Sequence, residues 1–329
     1  MIVGVRRRAV RLATPSGSTT TFASVNHAEV AAVYLTPLDE IVDEPKVPDT
    51  PARRLRDVLE PIATIGWWSA AAGQEFAAAG LDFLGGYVWG RAAALGPDVS
   101  TDVAASAFGV FDASMLASGI TAARQVASHE QVLAGRAAGA TAGLEAATPD
   151  IASADVERSA SRLRSALDAV DVTARPLFSA LRALPTPDAP HARLWRAAEM
   201  YREHRGDGHL AACVAAGLDM VEMNVLTELW LGYPVGEYSA TRGFGADRID
   251  AAVQSLADRG WADAVARDLT EDGRDARERI EAATDESQRA VIVALGDDLD
   301  ALIADLAPIS QAVLAARAAP ADPRKRAAG

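Results

Sequence analysis

Six residues between positions 202 and 209 carry side chains able to do acid–base or anion chemistry: Arg202, Glu203, His204, Arg205, Asp207 and His209. Two guanidiniums beside two imidazoles can cradle an anionic ligand, because Arg presents paired donors to a carboxylate or phosphate. A His–Asp pair can also move a proton. The same residues can instead form an ion-pair and capping network that fixes two helices, and the sequence favours that reading. Gly206-Asp207-Gly208 reads as a break after the helix that carries Arg202 and Glu203, with Asp207 placed to cap the next helix. His204 and His209 stand five apart, not at the i, i+4 spacing that puts two imidazoles on one helix face. No third His is nearby, so no metal site is expected.

A second group lies in the first half of the chain. Trp67, Trp68, Phe76, Phe83, Tyr87, Trp89, Phe108 and Phe111 place eight of the chain's eighteen aromatic residues within 45 positions. They read either as packing or as the walls of a flat aromatic pocket between helices. Tyr87 and Arg91, four apart, share a helical face and would form the polar end of such a pocket. The candidate ligand-binding set is therefore Arg202, His204, Arg205, Asp207, His209, Tyr87 and Arg91. Gly80 to Gly90 lacks the preceding strand and the Lys or Ser/Thr of a phosphate loop, and no nucleophile elbow is present. No catalytic residue and no cofactor is assigned. Cys213, the single cysteine, lies between Leu-Ala-Ala and Val-Ala-Ala and reads as a packed thiol in a reducing compartment.

These groups need elements to hold them, and composition says which kind. Half of the 329 residues are hydrophobic but only 5% are aromatic, with Ala, Leu and Val dominant. That favours closely packed helices over a β-sandwich. No run approaches 18 apolar residues, so no membrane span is expected. The basic start (Arg6, Arg7, Arg8, Arg11) lacks the apolar stretch of an export signal, which points to a cytoplasmic protein. Four segments follow: a loosely ordered stretch over 1–50, a helical domain over 51–184, a second domain over 191–315, and a disordered tail over 316–329. Thr50-Pro51 is an N-cap and N1 pair that opens the first domain. Helix breaks are expected at Gly66, Gly80, Gly85-Gly86 and Gly96-Pro97. Ala78-Ala79-Gly80-Leu81-Asp82 matches Ala215-Ala216-Gly217-Leu218-Asp219, and a proline follows each Asp by 15 residues, Pro97 and Pro234. The match is compatible with an internal duplication of a helix–turn–helix unit.

The most legible stretch is Gly245 to Ala283. Ile249, Val253 and Leu256 lie on one helical face, and Arg259-Gly260 ends that helix. Two short strands follow, Trp261 to Val265 and Arg267 to Leu269, and then Thr270 caps a helix with acids in its first turn. The run Leu256-Ala257-Asp258-Arg259-Gly260-Trp261, a short wing and Leu269-Thr270-Glu271-Asp272-Gly273-Arg274 resembles the recognition-helix end, wing and following helix of MarR-type regulators. The block from Leu194 to Val313, together with Gly86-Tyr87 and Gly90-Arg91, is similar to an actinobacterial helix-turn-helix family. The MarR resemblance implies a homodimeric, ligand-responsive DNA binder. On that basis Arg242, Arg248, Gln254, Arg259 and Arg267 are the candidate DNA-binding residues.

Charge opposes a simple version of that reading. The chain carries 32 basic and 45 acidic residues, net −13. Residues 191–315 hold 12 arginines against 23 acids, so −11 of the total sits in the domain that would meet DNA. The recognition helix is itself net −1, with Asp247, Asp250 and Asp258 against Arg248 and Arg259, whereas DNA binding depends on neutralising phosphates. The expectation is a mainly α protein: an N-terminal helical domain and a C-terminal winged helix-turn-helix. Its first functional reading is a MarR-like, small-ligand-sensing regulator with weak or lost DNA binding. The alternative is a sequence-specific DNA-binding transcriptional regulator, and the third an enzyme using His204, Asp207 and His209. Leu295, Leu299, Leu302 and Leu306 form a stripe that fits either a homodimer seam or packing within the chain.

Overall fold

The computed structural model describes Leu35, residues 49–320, Asp322 and Arg324; residues 1–34, 36–48 and most of the last nine lie outside the described residues, and with them most of the two terminal segments expected to be loose. The described chain is mainly helical. It runs α1 (Pro51–Trp68), α2 (Ala70–Ala78), α3 (Phe83–Ala92), α4 (Thr101–Phe108), α5 (Ala113–Val126), α6 (His129–Ala147), α7 (Ser153–Asp168), α8 (Pro176–Ala183), α9 (Pro190–Ala215), α10 (Met220–Trp230), α11 (Ala246–Asp258), β1 (Ala262–Asp263), β2 (Asp268–Leu269), α12 (Glu271–Glu286), α13 (Arg289–Leu295) and α14 (Leu299–Ala315).

Local chemistry sets most of these boundaries. Thr50 accepts from the Arg53 amide at 3.0 Å and opens α1; Thr270 accepts from the Gly273 amide at 3.0 Å and opens α12. Each satisfies an amide that the first helical turn leaves without a partner. Between α11 and α12 the wing is a minimal antiparallel pair, Ala262 opposite Leu269 and Asp263 opposite Asp268. Asp263 Oδ1 accepts from the amides of Val265 and Ala266, both at 2.8 Å, which closes the turn.

Three apolar clusters divide the interior. One lies in the first half (Trp67, Phe76, Trp89, Phe108, Leu116, Ile120) and one in the winged helix (Val225, Leu229, Ile249, Val253, Leu256, Ile280). The third joins them, drawing on α1, α6, α7, α8, α9, α13 and α14. It therefore takes residues from both sides of the proline-rich turn at 185–190. Leu295, Leu299, Leu302 and Leu306 are buried in this central core, so the stripe packs within the chain. Ala318 and Ala319, at the start of the tail expected to be disordered, are buried with them.

The matching pentapeptides form the same structure twice. Gly80 and Gly217 sit at φ +75° and +73°. Leu81 N donates to Phe76 O at 2.9 Å and Leu218 N to Cys213 O at 3.1 Å, the six-to-one bond of a Schellman stop. Asp82 then caps α3 and Asp219 caps α10. Beyond the turn α3 packs on α5 as α10 packs on α11, and α2 lies on α6 as α9 lies on α12. The second unit carries the wing; the first passes from α5 to α6 through only Ala127 and Ser128.

Two sequence expectations need correction. Gly206-Asp207-Gly208 does not break the helix: α9 is continuous over 26 residues. Each helical glycine costs about 1 kcal/mol against alanine, but α9 packs against α1, α6, α7, α8 and α12, and that burial outweighs the local preference. Gly208 leaves room for Arg175 and Ser287, which a Cβ there would strike. Likewise Gly66 lies inside α1 and Gly85-Gly86 inside α3. A Cβ on Gly86 would come within 2.5 Å of the Phe76 ring, so this glycine serves close helix packing and not a turn.

Candidate ligand site and nucleic-acid face

With α9 unbroken, the charged residues of 202–209 point outward around one helix into different surroundings. Arg202 and Glu203 face the first unit. Glu203, 1% exposed, takes two parallel bonds from Arg91, Nε to Oε1 at 2.9 Å and Nη2 to Oε2 at 2.6 Å. Arg202 donates to Glu203 at 3.2 Å and to Glu60 at 3.2 Å, and stacks over Trp67 with its guanidinium carbon 4.9 Å from the ring centre. Burial opposes the charge on Glu203, but Arg91, Arg202 and Arg136 outweigh it and hold the carboxyl below its ordinary range.

Tyr87 stands on the same patch. Its ring meets Trp67 at 5.0 Å, Phe111 at 5.8 Å and Phe83 at 6.1 Å. Burial pushes the phenol up, yet Arg242, Arg91 and Arg202 together hold it below its usual value. Arg242 reaches this cluster from the second unit, lying over Phe111 at 4.6 Å and Tyr238 at 4.7 Å and donating to the Tyr238 hydroxyl at 2.9 Å. The fold thus brings Tyr87, Arg91 and Arg202 together and adds Arg242, a residue the sequence assigns to the DNA set.

The other four predicted ligand residues are elsewhere. Arg205 donates to Glu281 at 3.0 Å and Asp285 at 3.2 Å on α12, acids that Arg53 of α1 shares. His204 lies edge-on to Phe178, with Nδ1 2.8 Å from Gln288 Oε1, an atom that can only accept. Burial and the nearby Arg175 push His204 down to about 4, so the ring is neutral at pH 7. His209 is held well below its usual value by burial and Arg277. Thr284 donates to Ile280 O and accepts from His209 Nδ1, which leaves Nε2 to face Cys213 Sγ at 3.6 Å. Asp207 caps a helix, but not the one that follows it: Oδ2 accepts from the Phe178 amide at 3.1 Å, in the first turn of α8. Burial raises its carboxyl to about 7. Among the described residues no group of three His, Cys, Asp or Glu side chains is placed to hold a metal ion.

Sequence reasoning missed Glu60, Arg136, Arg196 and Glu199, all buried. Arg136 pairs with Glu199, which also lies 3.5 Å from Arg196. A signal for three of the interior charges was present: Arg196, Glu199 and Glu203 recur at i, i+3 and i+7 on a helix whose intervening positions, Arg202 apart, are apolar.

On the winged helix, Ile249, Val253 and Leu256 face inward as expected, and Arg248, Gln254, Arg259 and Arg267 lie on the exposed side. Their polar atoms are engaged. Arg248 pairs with Asp112 at 2.5 Å, Arg267 with Asp250 at 2.8 Å, and Gln254 donates to Asp258 at 2.8 Å. Arg259 donates to Gly217 O at 2.9 Å and lies over Trp261.

A family model for a helix-turn-helix family matches residues 52–320. The chain belongs to that helix-turn-helix family. The matched span covers both units and the central core, so the family is defined by the whole assembly and not by the wing alone. No curated protein and no solved structure matches the chain. Among the described residues of this family member no single helix is long and apolar enough to cross a membrane.

Proposed function

We propose that this helix-turn-helix protein is a MarR-like regulator that senses a small anionic, flat ligand between its two units and whose hold on DNA is weak or lost. The observation that carries the reading is the convergence of Tyr87, Arg91, Arg202 and Arg242 on one aromatic cluster. They come from α3, α9 and the segment before α11, so a ligand bound there touches both units at once. Binding energy that depends on the relation between two bodies is what lets a ligand shift their arrangement. His204, Arg205, Asp207 and His209 line the opposite sides of α9 and support the site by fixing that helix against α1, α8 and α12.

Two features support weakened DNA contact. Arg248 and Arg267 on the exposed side are paired with acids of the chain itself, so phosphate contact must first break an internal ion pair. The two units also do not resemble a pair of half-site readers. The Asp112 amide donates to Arg242 O at 2.8 Å, and Arg248 pairs with Asp112, so α5 and α11 meet at their N-terminal ends. At about 1.5 Å per residue they are about 20 Å long, which puts their centres within about 25 Å. Successive major grooves on one face are about 34 Å apart, so one chain cannot seat both helices, and a palindromic site requires a second copy.

The family and the winged helix favour the alternative, sequence-specific DNA binding through Arg242, Arg248, Gln254, Arg259 and Arg267. A mobility shift on the gene's own upstream region at 50 and 200 mM salt separates the two. The proposal expects no salt-sensitive shift at micromolar protein, and a sharp one that Arg248→Ala abolishes would establish the alternative. For the ligand, aromatic carboxylates and phosphates should raise the melting temperature. A rise that survives unchanged in Tyr87→Phe sinks the site assignment.

A further inference from the structure

A cleft of about 210 Å³ opens on another face of α9, far more than the roughly 10–15 Å³ one water needs. Its walls are the α7 residues Glu157 to Ser165, Thr186 and Pro187 of the proline-rich turn, and Arg193 and Arg196 of α9. Arg196 is 6% exposed, yet Nε and Nη1 of its guanidinium have no hydrogen-bond partner among the described residues. Its one ionic contact among the described residues is Glu199 at 3.5 Å, a carboxylate already paired with Arg136. A buried cation in this state is unusual, since buried charges are ordinarily both paired and hydrogen-bonded.

The neighbouring charges define what is missing. Arg164 is matched by Asp168 at 2.9 Å, and Arg193 by Glu157 at 3.2 Å. Farther along α9, Arg91, Arg136, Arg196 and Arg202 face only Glu60, Glu199 and Glu203. The arginines outnumber the glutamates by one, and the most loosely paired of them is Arg196, whose contact with the shared Glu199 is 3.5 Å long. Ala160, Pro187 and the alkyl stems of the arginines form the apolar part of the wall, beside the hydroxyls of Ser161, Ser165 and Thr186.

We infer that this cleft binds a small monocarboxylate with a short aliphatic body, its carboxylate on the Arg196 guanidinium and its chain against Ala160 and Pro187. One carboxylate restores the charge balance. A dianion overshoots it and meets Glu157 on the rim. The site is separate from the Tyr87 cluster and does not depend on it.

The test is titration of the full chain with sodium hexanoate at constant ionic strength, read by calorimetry and by the arginine Nε–H resonances. The expected result is saturable one-to-one binding that shifts the Arg196 resonance. Arg196→Gln should weaken it at least tenfold. Ser165→Trp, at an exposed rim position, should do the same without lowering the melting temperature, and it decides the matter if Arg196→Gln does not fold. Tyr87→Phe should bind as the wild type does. Absence of saturable binding, equal or tighter binding of inorganic phosphate, or loss of binding in Tyr87→Phe with retention in Ser165→Trp would each overturn the assignment.

Discussion

Replacing Glu203 by Gln tests the interior ion network most directly. Glu203 accepts three charge-assisted hydrogen bonds, two from Arg91 and one from Arg202, at 1% exposure. The amide keeps the shape but offers one acceptor oxygen and turns donors toward donors. Arg202 retains Glu60, but Arg91 loses the only carboxylate it pairs with among the described residues and stays buried over Phe108. Breaking a buried pair by removing one partner costs about 3–5 kcal/mol. At about 2 °C per kcal/mol for a long chain, the melting temperature should fall by at least about 6 °C. The double variant Arg91→Met/Glu203→Met removes both charges and leaves apolar chains beside Phe108 and Trp67, so it should lose less than Glu203→Met alone. Calorimetric melting of the singles and the double gives the coupling energy. If the double loses as much as the two singles added together, the pair is not the unit argued here.

Further outcomes follow from other positions. Asp207 is raised in the folded state to about 7 from 3.8, so the stability of its protonated form is fully present below about pH 3.8 and is lost as pH rises toward 7. Asp207→Asn should therefore gain on the wild type between pH 4 and pH 8 in paired melting curves, and a constant offset would remove the carboxyl from the account. His204, depressed to about 4 from 6.5, has the opposite sign: its contribution is present above pH 6.5 and lost as pH falls toward 4, a dependence that His204→Gln should flatten. Gly86→Ala should cost about 1–3 kcal/mol by overpacking Phe76, measured as a lower urea midpoint with an unchanged slope. Thr270→Ala should cost about 1 kcal/mol through loss of the α12 cap; no change in the midpoint would mean that the cap is redundant.

Much of the fold was legible because its signals are local. Thr50, Thr270 and the Gly80 and Gly217 stops act within a single turn, and the wing follows from a glycine stop, a two-strand run and a cap within a dozen residues. The repeated pentapeptide announced two matching units because an αL glycine followed by a capping Asp has one structural meaning wherever it occurs. The same local logic failed at Gly66, Gly86 and Gly206-Asp207-Gly208. There a glycine admits a neighbouring side chain, and its helix is held by contacts far away in sequence.

What the sequence by itself determined is the helical class, the caps, the wing and the acidity of α11. Tertiary structure alone decided the grouping of charges. Arg91 meets Glu203 across 112 positions and Arg202 meets Glu60 across 142, and Arg242, which the sequence groups with the DNA candidates, lies beside Phe111 and Tyr87. The physical reason is range. Caps and turns are settled by bonds between near neighbours, whereas the partner of a buried charge is whichever opposite charge the packing of α9 against α1, α3, α7 and α12 brings into contact.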